Sequence, residues 1–150
     1  METKEILKNL RETNHLTQEQ LAERVLVTRQ AVSRWETGET QPNTDTLKLL
    51  SKEFNVSINT LLGSPRQLIC QCCGMPLSDD GIISREPDGA FNEEYCKWCY
   101  ADGNFTYASK EPLLDYIVSH MPNPDNLPDD VRRQQFDGYL SQLKHWKQAF

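Results

Sequence analysis

Apolar residues recur at helical spacing through the first 63 positions, and after that the pattern changes character. Ile6, Leu7 and Leu10 fall on one side of a first helix, with Thr3 placed to cap it and Asn14-His15 to break it. Thr17 opens a second helix. Gln20, three residues on, completes a capping box, and Leu16 with Leu21 makes a hydrophobic staple. The same grammar returns at Thr28, where Val27 and Val32 form the second staple and only Leu26 and Val27 remain as a turn. Gly38 stops that helix and Gln41-Pro42 turns the chain. Asn43 or Thr44 starts a fourth helix carrying Leu47, Leu50 and Phe54, and Ser57 caps a fifth that carries Ile58, Leu61 and Leu62 and ends at Gly63. These stripes predict five helices around one small core.

The helix after Thr28 has two distinct faces. Ala31, Val32 and Trp35 point one way, and Arg29, Gln30, Ser33 and Arg34 the other. Guanidinium forks and an amide suit the guanine and adenine edges of the major groove, which a helix enters by its N-terminal half. Residues 4–63 resemble the lambda-repressor-like (XRE-type) helix-turn-helix domain. The resemblance lies in Leu16-Thr17-Gln18-Glu19-Gln20-Leu21-Ala22, in Thr28 to Glu36, and in Phe54-Asn55-Val56-Ser57 with Leu61-Leu62-Gly63. It implies a five-helix domain that binds double-stranded operator DNA as a homodimer. By position it implies that Gln18 contacts phosphate and that Thr28, Arg29, Gln30, Ser33 and Arg34 face the bases. The chain departs from the family pattern twice: Leu26 stands where the turn usually has Gly, and Glu39 where many relatives have Lys or Arg. A positive φ at Leu26 would strain it.

Ser64-Pro65-Arg66 reads as a linker, and from Gln67 the chemistry is that of cysteine. Cys70 and Cys73 form one C-x-x-C pair, Cys96 and Cys99 another, with 22 residues between the pairs. Two such knuckles can aim four thiolates at one tetrahedral metal, and Gly74 permits the positive φ of a knuckle turn. Few apolar residues lie between the pairs, so a metal would act in place of a core. A cytosolic setting disfavours disulfides, and a thioredoxin-like redox pair would need a strand-helix-strand setting that is missing. A rubredoxin-like iron site uses the same four ligands; ligand type and geometry favour one structural zinc ion. Cys72 is either a spare thiol or a substitute ligand.

This half resembles the bacterial zinc-ribbon domain found alone or behind such helix-turn-helix domains. The resemblance lies in Cys70-Gln71 with Cys73 to Leu77, in Tyr95 to Tyr100, in Gly103 with Phe105, and in the trailing Leu143-Lys144-His145-Trp146-Lys147. It implies zinc and little more. Downstream, Pro112 fits the first turn of a helix carrying Leu113, Leu114, Ile117 and Val118, and Met121 to Pro128 is a loop. Asp129 or Asp130 caps a last helix with Phe136, Tyr139, Leu140, Leu143 and Trp146 as its stripe, in which Gly138 costs about 1 kcal/mol relative to Ala. The stripe is read as packing on the ribbon, with a dimer seam as the competing use. His120 and His145 could join a metal shell, but four cysteines suffice.

Charge refines the picture. The chain has 16 basic and 22 acidic residues, net −6. Up to Gly63 the count is 8 against 9, and from Ser64 on it is 8 against 13, giving −1 and −5. A nearly neutral DNA reader must rely on a local ridge, here Arg24, Arg29 and Arg34. The acidic second half suits a protein partner better than DNA. No apolar run spans a membrane and no signal peptide opens the chain, which points to a cytoplasmic protein. No nucleophile–base pair or phosphate loop is evident, so an enzyme is not expected.

The resulting expectation is a mainly α protein. Residues 1–63 form a five-helix lambda-repressor-like DNA-binding domain, 64–66 a linker, and 67–150 a small zinc ribbon with two C-terminal helices. Its function is sequence-specific transcription regulation with a structural zinc ribbon. The alternative is a zinc- or redox-responsive sensor whose cysteines control DNA binding.

Overall fold

The computed structural model describes residues 1–147; residues 148–150, which the sequence assigns to the second domain, lie outside the described residues. The chain divides into two units, one of Met1–Gln67 with Asp88–Phe91, the other of Leu68–Pro87 and the chain from Asn92 onward.

The first unit is five helices: α1 (Thr3–Thr13), α2 (Gln18–Arg24), α3 (Arg29–Thr37), α4 (Thr44–Phe54) and α5 (Ile58–Leu61). At four of the five starts the N-cap side chain accepts from the amide three residues on. Thr17 Oγ1 accepts from the Gln20 amide at 3.0 Å while Gln20 Oε1 accepts from the Thr17 amide at 2.9 Å, completing the box. Thr28, Asn43 and Ser57 each accept from the amide three residues on, at 3.1, 2.9 and 3.1 Å. The start of α1 corrects the expectation of a Thr3 cap. Glu2 holds the cap position, its amide tied to Glu5 Oε2 at 3.1 Å, and Thr3 lies buried in the first turn. Leu7, Leu21, Leu50 and Leu61 are fully buried, with Val25, Val32 and Trp35 in the same cluster. Each such side chain contributes roughly 1.5–3 kcal/mol by leaving water.

Between α2 and α3 the chain turns through Leu26 at φ 60°, and its side chain is 82% exposed. The turn is made with a Leu in the left-handed region that gains no burial in return.

The second unit starts from a short bridge between Ile69 and Pro76. A one-turn 3-10 helix (Asp80–Ile82) leads into β1 (Ile83–Arg85), which pairs with β2 (Phe91–Cys96). A second pair, β3 (Tyr100–Ala101) and β4 (Asn104–Phe105), is antiparallel with Tyr100 opposite Phe105. Helices α6 (Lys110–His120), α7 (Asp129–Leu140) and α8 (Lys144–Lys147) follow.

Two expectations for these helices need correction. Pro128 holds the cap position of α7, so Asp129 and Asp130 sit inside its first turn, where their charge complements the helix dipole without capping. The last helix is also broken in two. Ser141 Oγ donates back to Asp137 O at 2.9 Å, a bond that competes with helix continuation, and the stripe resumes on α8 after the break. Arg132, which sequence reasoning passed over, is buried on α7. It donates to Val118 O and Met121 O at 2.9 Å each, satisfying carbonyls at the open end of α6.

These local features predict two stabilising substitutions. Leu26→Gly should relieve a left-handed residue, and Gly138→Ala should fill open space, since a Cβ there meets nothing within 4 Å. Each should raise unfolding free energy by about 0.5–1 kcal/mol, read by denaturant titration of the full chain. Loss of stability in Leu26→Gly would show that the exposed side chain holds the turn.

Candidate nucleic-acid interface and metal centre

The outward face of α3 is positioned from behind. Val32 and Trp35 anchor the helix in the core, 1% and 5% exposed, which leaves Arg29, Gln30 and Arg34 in solvent and Ser33 half-buried. Thr28 is exposed too, but its Oγ1 is engaged as the cap acceptor.

A polar chain links this face to the domain interior. Arg11 on α1 donates to Glu36 through Nε at 2.7 Å and Nη2 at 2.9 Å, a two-pronged pair whose side chains are only 12% and 5% exposed. The pairing raises the Arg11 pKa further, chiefly through the hydrogen bond to Glu36. Arg11 Nη1 also donates to Leu16 O at 2.8 Å, pinning the approach to α2. Glu36 Oε1 accepts from Gln18 Nε2 at 3.3 Å, and Gln18 Oε1 accepts from Arg29 Nη1 at 3.3 Å. The residue expected at phosphate and the first residue of the base-facing set are thus joined to one buried carboxylate. Arg11 escaped the sequence reading because a cation on a short helix looks like surface; its one signal was a position adjacent to the apolar Leu10.

The expected basic ridge is partly spent. Arg24 Nη1 lies 2.5 Å from Glu53 Oε1. Arg34 Nε is 3.8 Å from Glu39 Oε2 with both side chains more than half exposed, a contact worth little in water.

In the second unit the two C-x-x-C segments fold as tight turns. The Cys70 amide donates to Met75 O at 2.9 Å and the Gly74 amide to Cys70 O at 2.9 Å; the Cys99 amide donates to Cys96 O at 3.1 Å. Gly74 is required twice over: its φ is +79°, and a Cβ there would meet Tyr139 Cε1 at 2.3 Å. The Sγ atoms of Cys70, Cys73, Cys96 and Cys99 lie within 4.8 Å of one another. Sulfurs around a tetrahedral zinc at about 2.3 Å stand roughly 3.8 Å apart. The Cys73–Cys96 separation is 3.9 Å, near that edge length and far beyond a disulfide bond.

Without a cation the four thiols cannot ionise together. Hydrogen bonds from Cys73, then Cys96 and Cys99, hold Cys70 far below the usual thiol range, and Cys96 is lowered too, the opposing Cys70 being outweighed by Cys73 and Cys99. Cys70 and then Cys96 push Cys73 far above that range, and Cys70, Cys72, Cys73 and Cys96 do the same to Cys99. A dication removes that conflict, so the donor set fits a structural metal. Cys70, Cys96 and Cys99 are buried, and Cys73 is partly open.

Cys72 stays outside the quartet although it is fully buried. Its carbonyl accepts from Trp146 Nε1 at 2.7 Å. The start of α8 completes the seal, with the Lys144 amide donating to Gln71 Oε1 at 3.1 Å and the His145 amide to Gln71 O at 3.0 Å. Both histidines weighed as ligands are engaged elsewhere: His145 Nε2 is 3.0 Å from Tyr107 O, and His120 Nδ1 is 3.0 Å from Tyr116 O.

With this geometry in hand, comparison with known proteins places the chain. Residues 69–147, more than half of it, match the family described as "Putative zinc ribbon domain", and residues 7–61 match "Helix-turn-helix". The chain belongs to the zinc-ribbon family, with an XRE-type helix-turn-helix domain ahead of the ribbon. It is 52% identical over 62 residues to the HTH-type transcriptional activator BcrR of Enterococcus faecalis, a stretch that is 41% of this chain and 30% of that protein. It is 34% identical over 62 residues to antitoxin PezA of Streptococcus pneumoniae, 41% of this chain and 39% of that one. The chain therefore spans well under half the length of these curated relatives. Among solved structures it is similar to the P22 c2 repressor in complex with synthetic operator 9T, at 34% identity and a TM-score of 0.40, over 41% of this chain and 94% of that one. A transcriptional regulator from Listeria innocua is 30% identical with a TM-score of 0.42, over 44% and 62%. Among the described residues no helix is long and apolar enough to cross a membrane.

The quartet makes unequal predictions for the five cysteines. Cys72→Ser should keep one metal per chain, whereas Cys73→Ser and Cys96→Ser should lose tight binding and open the second unit to protease while the first 63 residues stay largely protected. Elemental analysis with a proteolysis time course decides it. A metal-free Cys72→Ser, or a fully loaded Cys96→Ser, contradicts the ligand assignment.

Proposed function

We propose that the chain is a sequence-specific DNA-binding transcription regulator of the cytoplasm. In this reading residues 1–63 read the major groove through α3, 64–66 are a linker, and the rest, from residue 67 to 150, is a ribbon held by one structural zinc ion on Cys70, Cys73, Cys96 and Cys99. The observation that carries it is the exposed Arg29, Gln30 and Arg34 face on a helix fixed by its cap, its core anchors and the Arg11–Glu36–Gln18 chain. Arg34 and Gln30 are the base readers, with Arg29, Thr28 and Ser33 alongside them and Gln18 on phosphate. The 52% identity to an HTH-type transcriptional activator over 62 residues supports the same reading. The chain acts as a homodimer on two half-sites, as is usual for such helices. The acidic second half suits a protein partner.

A second reading rests on the partly open Cys73 of the quartet. In it the thiolates sense zinc or oxidant and control DNA binding. Operator affinity that falls when the metal is removed from an intact first unit favours this sensor; unchanged affinity favours a purely structural ribbon.

Operators selected from random duplexes test the proposal. Arg34→Ala or Gln30→Ala should cost about 1–3 kcal/mol at the selected site and relax its preference, and Gln18→Ala should weaken all sequences evenly. Light scattering should give two chains per palindromic duplex with half-sites about 34 Å apart. Variants that bind every duplex as the parent does, or a strict one-to-one complex, contradict the assignment.

A further inference from the structure

The second unit contains an apolar cavity of roughly 500 Å³ that neither the metal centre nor the DNA face requires. Trp98, Tyr116, Phe136 and Tyr139 line it together with Met121, and Cys73 forms part of its wall. No Lys, Arg, His, Asp or Glu lines it. Trp98, Tyr116, Met121 and Tyr139 are 43–55% exposed, and they are four of the ten large apolar side chains left open among the described residues. Single exposed apolar residues need no explanation, but convergence of several on one concavity of this size marks a ligand site.

The charges beside its rings are positive, and they lack counter-ions. Lys97 Nζ lies 5.0 Å from the Trp98 centroid. Among the described residues Lys97 forms no ion pair, whereas Lys110, Arg133 and Lys144 each form one or more. The Arg132 guanidinium carbon lies 5.9 Å from the Phe136 centroid. Arg132 is buried, and its guanidinium donates to the carbonyls of Val118, Met121 and Pro122, which accept its N–H groups but carry no formal charge. The carboxylates next in sequence to the ring residues are already taken, Asp115 by Arg133 and Asp137 by Lys110. The unit is acidic as a whole, but exposed charges farther off are screened over about 8 Å at physiological salt. What a ligand in the cavity meets is therefore an uncharged apolar wall with two cations at its rings and no carboxylate in the lining. An apolar body is favoured by burial, and an anionic head by the unpaired cation.

We propose that this cavity binds an amphipathic carboxylate, an aromatic or branched apolar body with one anionic head. The body packs among the four rings between α6 and α7. The head meets Lys97 at the Trp98 edge, where the ammonium is exposed and loses little water on pairing. Arg132, held on its carbonyls at the Phe136 ring, adds a fixed positive charge without contacting the head. The site is independent of how α3 meets DNA.

Calorimetric titration of the metal-loaded full chain with naphthylacetate, naphthylacetamide and naphthylethylammonium tests this, because the three share one apolar body and differ in charge. The carboxylate should bind one per chain, about fivefold or more tighter than the neutral amide, and the ammonium should bind weakest. Lys97→Gln should bring the carboxylate to within about twofold of the amide with metal content unchanged, and Lys97→Arg should keep the preference. Tyr116→Ala should weaken carboxylate and amide alike. An amide or ammonium that binds as tightly as the carboxylate overturns the proposal, and would show that the sulfur in the wall cancels the two cations. No carboxylate binding, a Lys97→Gln variant with the full preference, or binding indifferent to Tyr116→Ala overturns it as well. If Lys97→Gln loses metal, the charge series on the unaltered chain and on Tyr116→Ala still decides. Self-association of the chain through this face with no carboxylate binding would overturn it in favour of a second copy as occupant.

Discussion

Four thiols held within 4.8 Å of one another are an electrostatic problem before they are a structure. Cys70 and Cys96 are favoured as thiolates while Cys73 and Cys99 are pushed the other way, because each further charge repels those already there. The second unit is arranged around this repulsion. Its strands run from two to six residues, and its two small sheets have two strands each. So little sheet cannot hold a fold by burial alone. The turns at Cys70–Gly74 and Cys96–Cys99, the Gly74 backbone pressed against Tyr139, and the plug of Trp146 over Cys72 all serve to keep the sulfurs at metal distance. A dication at the centre of the four sulfurs would turn that repulsion into attraction.

The first unit solves a different problem. Its helices are short, and a one-turn α5 or a seven-residue α2 has no stability of its own. Side-chain caps define the ends, the leucine cluster joins them, and the buried Arg11–Glu36 pair ties the first helix to the third. That pair is also the rear end of the chain that reaches Gln18 and Arg29. Orientation of the outward face and integrity of the domain therefore depend on the same carboxylate. Such a pair is costly to desolvate and costly to break, and what it contributes is a fixed geometry more than net stability.

The sequence was legible where chemistry is local. Thr17 with Gln20, and Thr28, Asn43 and Ser57, announce helix starts because a cap depends on residues within three positions. The two cysteine pairs were legible because each ligand pair is made within a single turn. What escaped reading depends on distance along the chain. Arg11 meets Glu36 25 residues later, and Arg132 reaches the end of α6 through Val118, 14 residues earlier. Neither partner can be inferred from spacing. The break at Ser141 was hidden for another reason: Leu140, Leu143 and Trp146 keep helical spacing across it, so periodicity continues where the backbone does not. Glu2 in place of Thr3 shows the limit of residue preference, since the bond its amide donates to Glu5 Oε2 outweighs the usual choice of hydroxyl.

The bond from Trp146 to the carbonyl of Cys72 spans 74 residues. At a synthesis rate of about 5–20 residues per second, the first knuckle leaves the ribosome roughly 4–15 s before the side chain that covers it. The core of the first unit needs no such wait, since its clustered residues all lie between Ile6 and Leu62. During that interval the thiols of Cys70, Cys72 and Cys73 stand uncovered in the nascent chain. Of these parts α8 is made last, so it can close over Cys72 only after both knuckles have been synthesised.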